Sequence, residues 1–267
     1  AKLDVVKFVP ASGAASRMFK DLFSFLDGDG DLEKSSFTKK FIQNLSKFAF
    51  FEDLNGSLLA QGSSIQASLD SGDFKKIVSA LLSEEGLGYG NLPKGLLRFH
   101  RYPSENRTPA QEHLVEGWQY GLGKGNTVKI HFTVSPEHEV KFKAEIGKVL
   151  PALKAMSGVE FEVSYSQQKK STDTIAVTMD NAPFEEEEGS LLFRPAGHGA
   201  LLENLNDIQA DLIFIKNIDN VVPDRLKETT KTYKMAIAGL LLEVQEKVFH
   251  ALSGMESGVS DPFVGLA

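Results

Sequence analysis

Cysteine is absent from the 267 residues, which excludes disulfides, thiolate-held zinc and cysteine nucleophiles. Long apolar runs are missing as well. The most apolar segment, Ala236 to Val244, falls far short of the roughly 18 residues a membrane-spanning helix needs, so no membrane partner is expected. No leader is expected either, because Ala1 runs almost at once into an apolar strand. A cytoplasmic, reducing location is expected and agrees with the lack of cysteine. The third shortage is of basic charge. With 29 Lys and Arg against 36 Asp and Glu the net charge is −7, so no cationic stripe exists to neutralise many phosphates, and a nucleic-acid partner is excluded. Small anions need only one or two local cations and stay open.

What is present reads as one α/β domain over residues 1–267 with a helical insertion over 22–91. Val5 to Val9 reads as a strand, and the small residues Pro10 to Ser16 form a turn before Arg17-Met18-Phe19 opens a helix. Strand, small-residue loop and helix start can cradle a phosphate on backbone N–H groups. No Gly-Lys-Ser/Thr follows, and the glycines of a dinucleotide fingerprint are missing. Within 22–91, Phe37, Phe41, Leu45 and Phe48 recur at helical spacing, as do Ile65 with Leu69 and Ile77 with Leu81, so these apolar residues are expected in a core.

Thr108-Pro109 opens a helix through Trp118, Val128 to Val134 reads as a second strand, 136–150 as a helix, and Val159 to Tyr165 as a third strand. This alternation predicts a mostly parallel sheet covered on both faces. Residues 172–178 and 190–193 read as a small strand pair flanking the acidic run Glu185 to Glu188, expected as a solvated loop. Ala200 to Asn206 turns helical with Leu201, Leu202 and Leu205 on one side. Asp211 to Asn220 begins with a solid apolar run, as a strand buried on both faces would, and ends in Asn217-Ile218-Asp219-Asn220 where ligands of open α/β sheets gather. A helix follows from about 225 to 253. His100, His113, His131, His138 and His250 have no zinc-ligand spacing and are expected in structural or surface roles.

Three of these stretches, taken in order, resemble the sugar-phosphate nucleotidyltransferases of the GT-A-type, Rossmann-like fold. Val9 to Met18 (VPASGAASRM) is similar to their first loop, with Gly13, Ser16 and Arg17 in register. Leu92-Pro93-Lys94-Gly95-Leu96-Leu97 is similar to their Pro-Lys element. Arg194-Pro195-Ala196-Gly197-His198-Gly199 with Asn217-Ile218-Asp219-Asn220 resembles the UDP-sugar pyrophosphorylase branch, and a bacterial family within that superfamily is the expected home. The resemblance implies that Ser12 and Gly13 contact a nucleotide through backbone groups. It implies that Arg17 and Lys94 bind and polarise the triphosphate, and that Gln167 or Gln168 meets the base together with Gly197. His198 faces the base or is an ordinary hydrogen-bonding loop histidine. Asp219 would coordinate Mg²⁺. The implied reaction joins an NTP, UTP in the first instance, to a sugar 1-phosphate with release of pyrophosphate.

Two departures bear on this. Ala15 stands where the family's loop has a second glycine. The family also carries sugar-recognition strands and a second metal-binding acid after Asn-x-Asp-Asn, whereas one long helix and a tail follow Asp219 here. The expectation is therefore a chain incomplete at its C-terminus, with a non-catalytic nucleotide or nucleotide-sugar binding module as the alternative.

Overall fold

Val5–Pro10 forms strand β1, and every residue of it is buried, Lys7 included. The computed structural model describes residues 3–256, leaving the side chain of His198 outside that description. Helices α1 (Lys20–Asp27), α2 (Ser36–Gln43), α3 (Phe51–Ala60), α4 (Ile65–Asp70) and α5 (Phe74–Leu82) follow β1. Serine and aspartate start three of them: the side chains of Ser35, Ser64 and Asp73 accept N–H bonds from Thr38, Ala67 and Lys76. A short antiparallel pair, β2 (His100–Arg101) and β3 (Asn106–Arg107), leads to α6 (Pro109–Tyr120). Thr108 and Gln111 close a reciprocal capping box at its start, with Pro109 in the first turn.

The chain then alternates: β4 (Thr127–Thr133), α7 (Glu139–Ser157), β5 (Glu160–Ser166). Helix α7 runs past Pro151, beyond the expected end at 150, because buried Leu153 holds the last turns and Gly158 at φ 68° supplies the left-handed stop. Next come β6 (Thr174–Ile175), paired antiparallel with β7 (Phe193–Arg194), then α8 (Leu202–Asn206), β8 (Leu212–Ile215) and α9 (Asp224–Glu256). The acidic run Glu185 to Glu188 is exposed, as expected.

The main sheet has four strands in the order β5-β4-β1-β8, all parallel. The chain steps from β1 outward through β4 to β5, then returns to lay β8 on the other side of β1. That reversal makes a topological switch point, and the loops after β1 and β8 flank it at the carboxyl edge. Helices α6 and α7 pack on β4 and β5, burying Leu114, Ile130, Phe132, Phe142 and Ile146 in one core. The opposite face carries Lys129, His131 and Ser164, and Asn204 of α8 lines a hollow there.

Two expectations about buried faces are corrected. β8 is an edge strand of the sheet among the described residues, with Ile215 exposed; the strand buried on both faces is β1. An apolar run shows burial but not its place in the strand order. In the 198–206 segment Leu201 is buried and Leu202 exposed. A 3₁₀ turn over His198–Leu201 precedes α8, which rotates successive side chains further than α-helical spacing assumes.

The helical segment α1–α5 builds a second core from Phe41, Phe50, Leu54, Ile77 and Leu81, among others. It belongs with the sheet to one compact unit, Ala1–Val221, and Val222–Ala267 forms another. Of the phenylalanines expected in the core, Phe41 is buried, but Phe37 and Phe48 are 45% and 37% exposed. Helix α2 stops at Gln43, so Phe48 lies on a different segment. No helix among the described residues is long and apolar enough to cross a membrane.

Candidate functional site

Three segments distant in sequence are stitched together at the switch point by backbone hydrogen bonds. At the end of β1, the N–H of Ala11 donates to the Thr133 carbonyl at 2.8 Å, and the Pro10 carbonyl accepts from the N–H of Ile218 at 3.0 Å. The loop beyond, Ala11 to Ala15, bridges antiparallel to Pro93 through Ala14, and the Lys94 N–H donates to the Gly13 carbonyl at 3.2 Å. Lys94 and Asp219 are thereby delivered to the same place. The Lys94 ammonium donates to Asp219 Oδ2 at 2.5 Å across 125 residues of sequence. Both side chains are about a third exposed, at 27% and 34%.

A crevice of about 600 Å³ opens around this pair. Ser12, Gly13, Arg17, Lys94, Gly197 and Asp219 all line it, six of the eight residues expected from the sequence. Gln167 does not: its amide donates to Glu139 Oε2 at 2.9 Å, and its neighbour Gln168 lines the crevice instead. Side chains alternate at the end of a strand, so a shift of one residue exchanges which amide faces the site. The His198 side chain lies outside the described residues. Arg17 makes no ion pair among the described residues, so its guanidinium is available to an anion.

Two glycines have opposite explanations. A Cβ at Gly13 would meet nothing within 4 Å, so the space it leaves belongs to the crevice and is open to a ligand. A Cβ at Gly95 would stand 2.5 Å from the Phe142 ring and 2.9 Å from Ile218. Gly95 therefore lets the 3₁₀ turn Lys94–Leu96 sink against α7, holding Lys94 at the mouth of the crevice.

Beneath the crevice lie groups that the sequence reading left in bland roles. His113 on α6 is fully buried, and its Nε2 bonds the carbonyls of Asn217 and Ile218 at 3.2 and 3.1 Å, fixing the turn that carries Asp219. Burial, helped by the charges of Lys7 and Lys216, holds the imidazole pKa well below its usual value. The ring is therefore neutral with its proton on Nε2, and Nδ1 has no partner among the described residues. Lys7 and Lys216 reach Glu116 on α6 at 3.1 and 2.8 Å. Burial raises the Glu116 carboxyl, and the two ammonium groups outweigh it, leaving it below the usual carboxylate range. The available signal was Lys7 itself, a charge inside Val-Val-Lys-Phe-Val, which can be buried only with a partner.

Asp219 is the one carboxylate lining the crevice among the described residues. No cluster of three or more His, Asp or Glu side chains suited to a metal occurs among them. This donor set does not make a preformed metal cage. It does fit Mg²⁺ that arrives with a polyphosphate, since that ion keeps waters and asks the protein for one or two carboxylates.

A family model described as a domain of unknown function (DUF4301) matches residues 1–262. The chain belongs to this family. No curated protein and no solved structure matches it. For this DUF4301 chain, then, the crevice has to speak through its own chemistry.

Proposed function

We propose that the switch-point crevice is the nucleotide site of a GT-A-like, cytoplasmic nucleotidyltransferase, which joins an NTP, UTP in the first instance, to a sugar 1-phosphate and releases pyrophosphate. The observation that carries this reading is the convergence of Arg17, Lys94 and Asp219 on one crevice at the carboxyl edge of a parallel sheet. In the reaction an oxygen of the sugar phosphate forms a bond to the α-phosphorus as the bond to the bridging oxygen breaks, and pyrophosphate leaves with that electron pair. Such a displacement needs no protein nucleophile, only positioning and compensation of charge. Arg17 offers a planar fork to phosphate oxygens and Lys94 a point charge. The open backbone at Ser12 and Gly13 lets the phosphates approach, and Gln168 with Gly197 borders the base.

The Lys94–Asp219 pair supports a further detail of this reading. In the free site each charge neutralises the other. A polyphosphate competes for Lys94 and releases Asp219, which would then hold Mg²⁺; the ion supplies additional charge neutralisation for the triphosphate. The alternative reading, a binding module without turnover, is favoured by Asp219 standing without a second acid in the crevice among the described residues and by Ala15 in the first loop. A pyrophosphate-release screen over NTPs and sugar 1-phosphates separates the two. Release abolished by Lys94→Ala supports the enzyme. Mg-UTP binding without release supports the module, and neither binding nor release refutes both.

A further inference from the structure

The helical segment leaves a gap in its own aromatic packing. Met18, Phe37, Phe41, Phe48, Phe50 and Tyr89 surround a hollow of about 300 Å³, at the lower end of the size range of small-molecule pockets. The rings that line it are stacked or tilted together, with Phe48 5.0 Å from Phe50 and 5.3 Å from Phe41. At the rim, Phe37 and Phe48 stay open to solvent, so apolar ring faces remain without cover. The charged residue in its wall, Arg98, is already engaged. Its guanidinium donates to Glu145 at 3.2 Å and to the Asn106 carbonyl at 3.0 Å, while the backbone N–H of Arg98 donates to Tyr89 Oη at 3.1 Å. A nucleobase or sugar placed there would find few partners for its polar edges, whereas a hydrocarbon needs none.

Met18 belongs to the wall of this hollow and to the wall of the crevice. The single turn Ser16–Phe19 sends Arg17 to the crevice and Phe19 to the hollow, so a cation stands next to an apolar pocket across one adaptable thioether.

We infer that the aromatic hollow binds the hydrocarbon part of a small anionic amphiphile whose acid end reaches Arg17 past Met18. The inference rests on the reading of Arg17 as an anion-binding group, and not on which nucleotide fills the crevice.

Titration calorimetry on the whole chain tests it, with geranyl monophosphate, decanoate, inorganic phosphate and Mg-UTP as separate probes. Geranyl monophosphate is expected to bind about tenfold or more tighter than inorganic phosphate, and Phe37→Glu to remove about tenfold of that affinity while leaving Mg-UTP unchanged. Arg17→Ala weakens both ligands. Decanoate bound with the same dependence on Phe37 supports the amphiphile and shows that the acid end is not restricted to phosphate. Phe37→Gln serves as the second variant should Phe37→Glu unfold. Geranyl monophosphate that binds no better than inorganic phosphate, or that ignores both Phe37 substitutions, overturns the inference. Geranyl monophosphate binding without Mg-UTP binding would leave this site standing and remove the nucleotide reading.

Discussion

Two lysine–carboxylate groupings lie near the switch point, and their surroundings set them apart. Lys7 and Glu116 are closed off from water and Lys216 is nearly so, with Glu116 shared between two ammonium groups and Tyr120 also donating to it. Lys94 and Asp219 meet at the mouth of the crevice, each about a third exposed. A buried group of this kind cannot exchange partners without leaving a charge stranded in the core, so it fixes α6 to β1 and to the exit of β8. A pair open to water costs little to separate, so it is free to trade partners with a ligand. Identical functional groups thus make a fixed strut in one place and, in the proposed site, an exchangeable pair in the other.

The sharpest way to break this contrast is to neutralise one acid from each grouping. Glu116→Gln removes the buried negative charge opposite Lys7 and Lys216 and is expected to destabilise the fold by about 3–5 kcal/mol in chemical denaturation. Asp219→Asn is expected to change stability by less than about 1 kcal/mol. Equal effects would mean that the two groupings are not different in kind. Gly95→Ala should rank next, at about 1–3 kcal/mol from overpacking against Phe142 and Ile218, and should weaken Mg-UTP binding by displacing Lys94. Loss of stability with full nucleotide affinity would show that the turn does not position the lysine.

A smaller effect concerns His113, whose pKa in the fold is depressed by burial and by Lys7 and Lys216. The unfolded chain takes up a proton below about pH 6.5 that the fold refuses, so its contribution is intact above that pH. Stability should fall by up to about 1.4 kcal/mol per pH unit as pH drops below it. Burial lowers His131 and His138 as well, which adds slope of the same sign. His113→Gln retains a donor for the two carbonyls without a titrating ring, and denaturation between pH 7 and 5 should show a shallower slope in that variant. An unchanged slope would remove His113 from the account.

The alternation of strands and helices was legible because periodicity and capping residues are local signals, as at Thr108-Pro109 with Gln111. Arg17, Lys94 and Asp219 were legible as a set only through their ordered motifs. Nothing local says that Gly13 bonds Lys94 or that Pro10 bonds Ile218. The edge position of β8 was hidden because strand order is decided by the crossover and not by the strand's own residues. His113 was expected in a structural or surface role and has a structural one, but which turn it holds was hidden, because that depends on which carbonyls face it, here those of Asn217 and Ile218 more than 100 residues away. Phe37 and Phe48 were misread for a related reason: apolar spacing marks a face but cannot tell a filled core from an open pocket.

The central claim is that Lys94 and Asp219 form an exchangeable pair in a polyphosphate site, and titration of UTP with and without Mg²⁺ addresses it directly. The native chain is expected to bind UTP more tightly when Mg²⁺ is present. Asp219→Asn is expected to lose that dependence and to bind metal-free UTP better than the native chain does, because Lys94 is no longer neutralised. No UTP binding under either condition, or the same Mg²⁺ dependence in both proteins, would contradict the account.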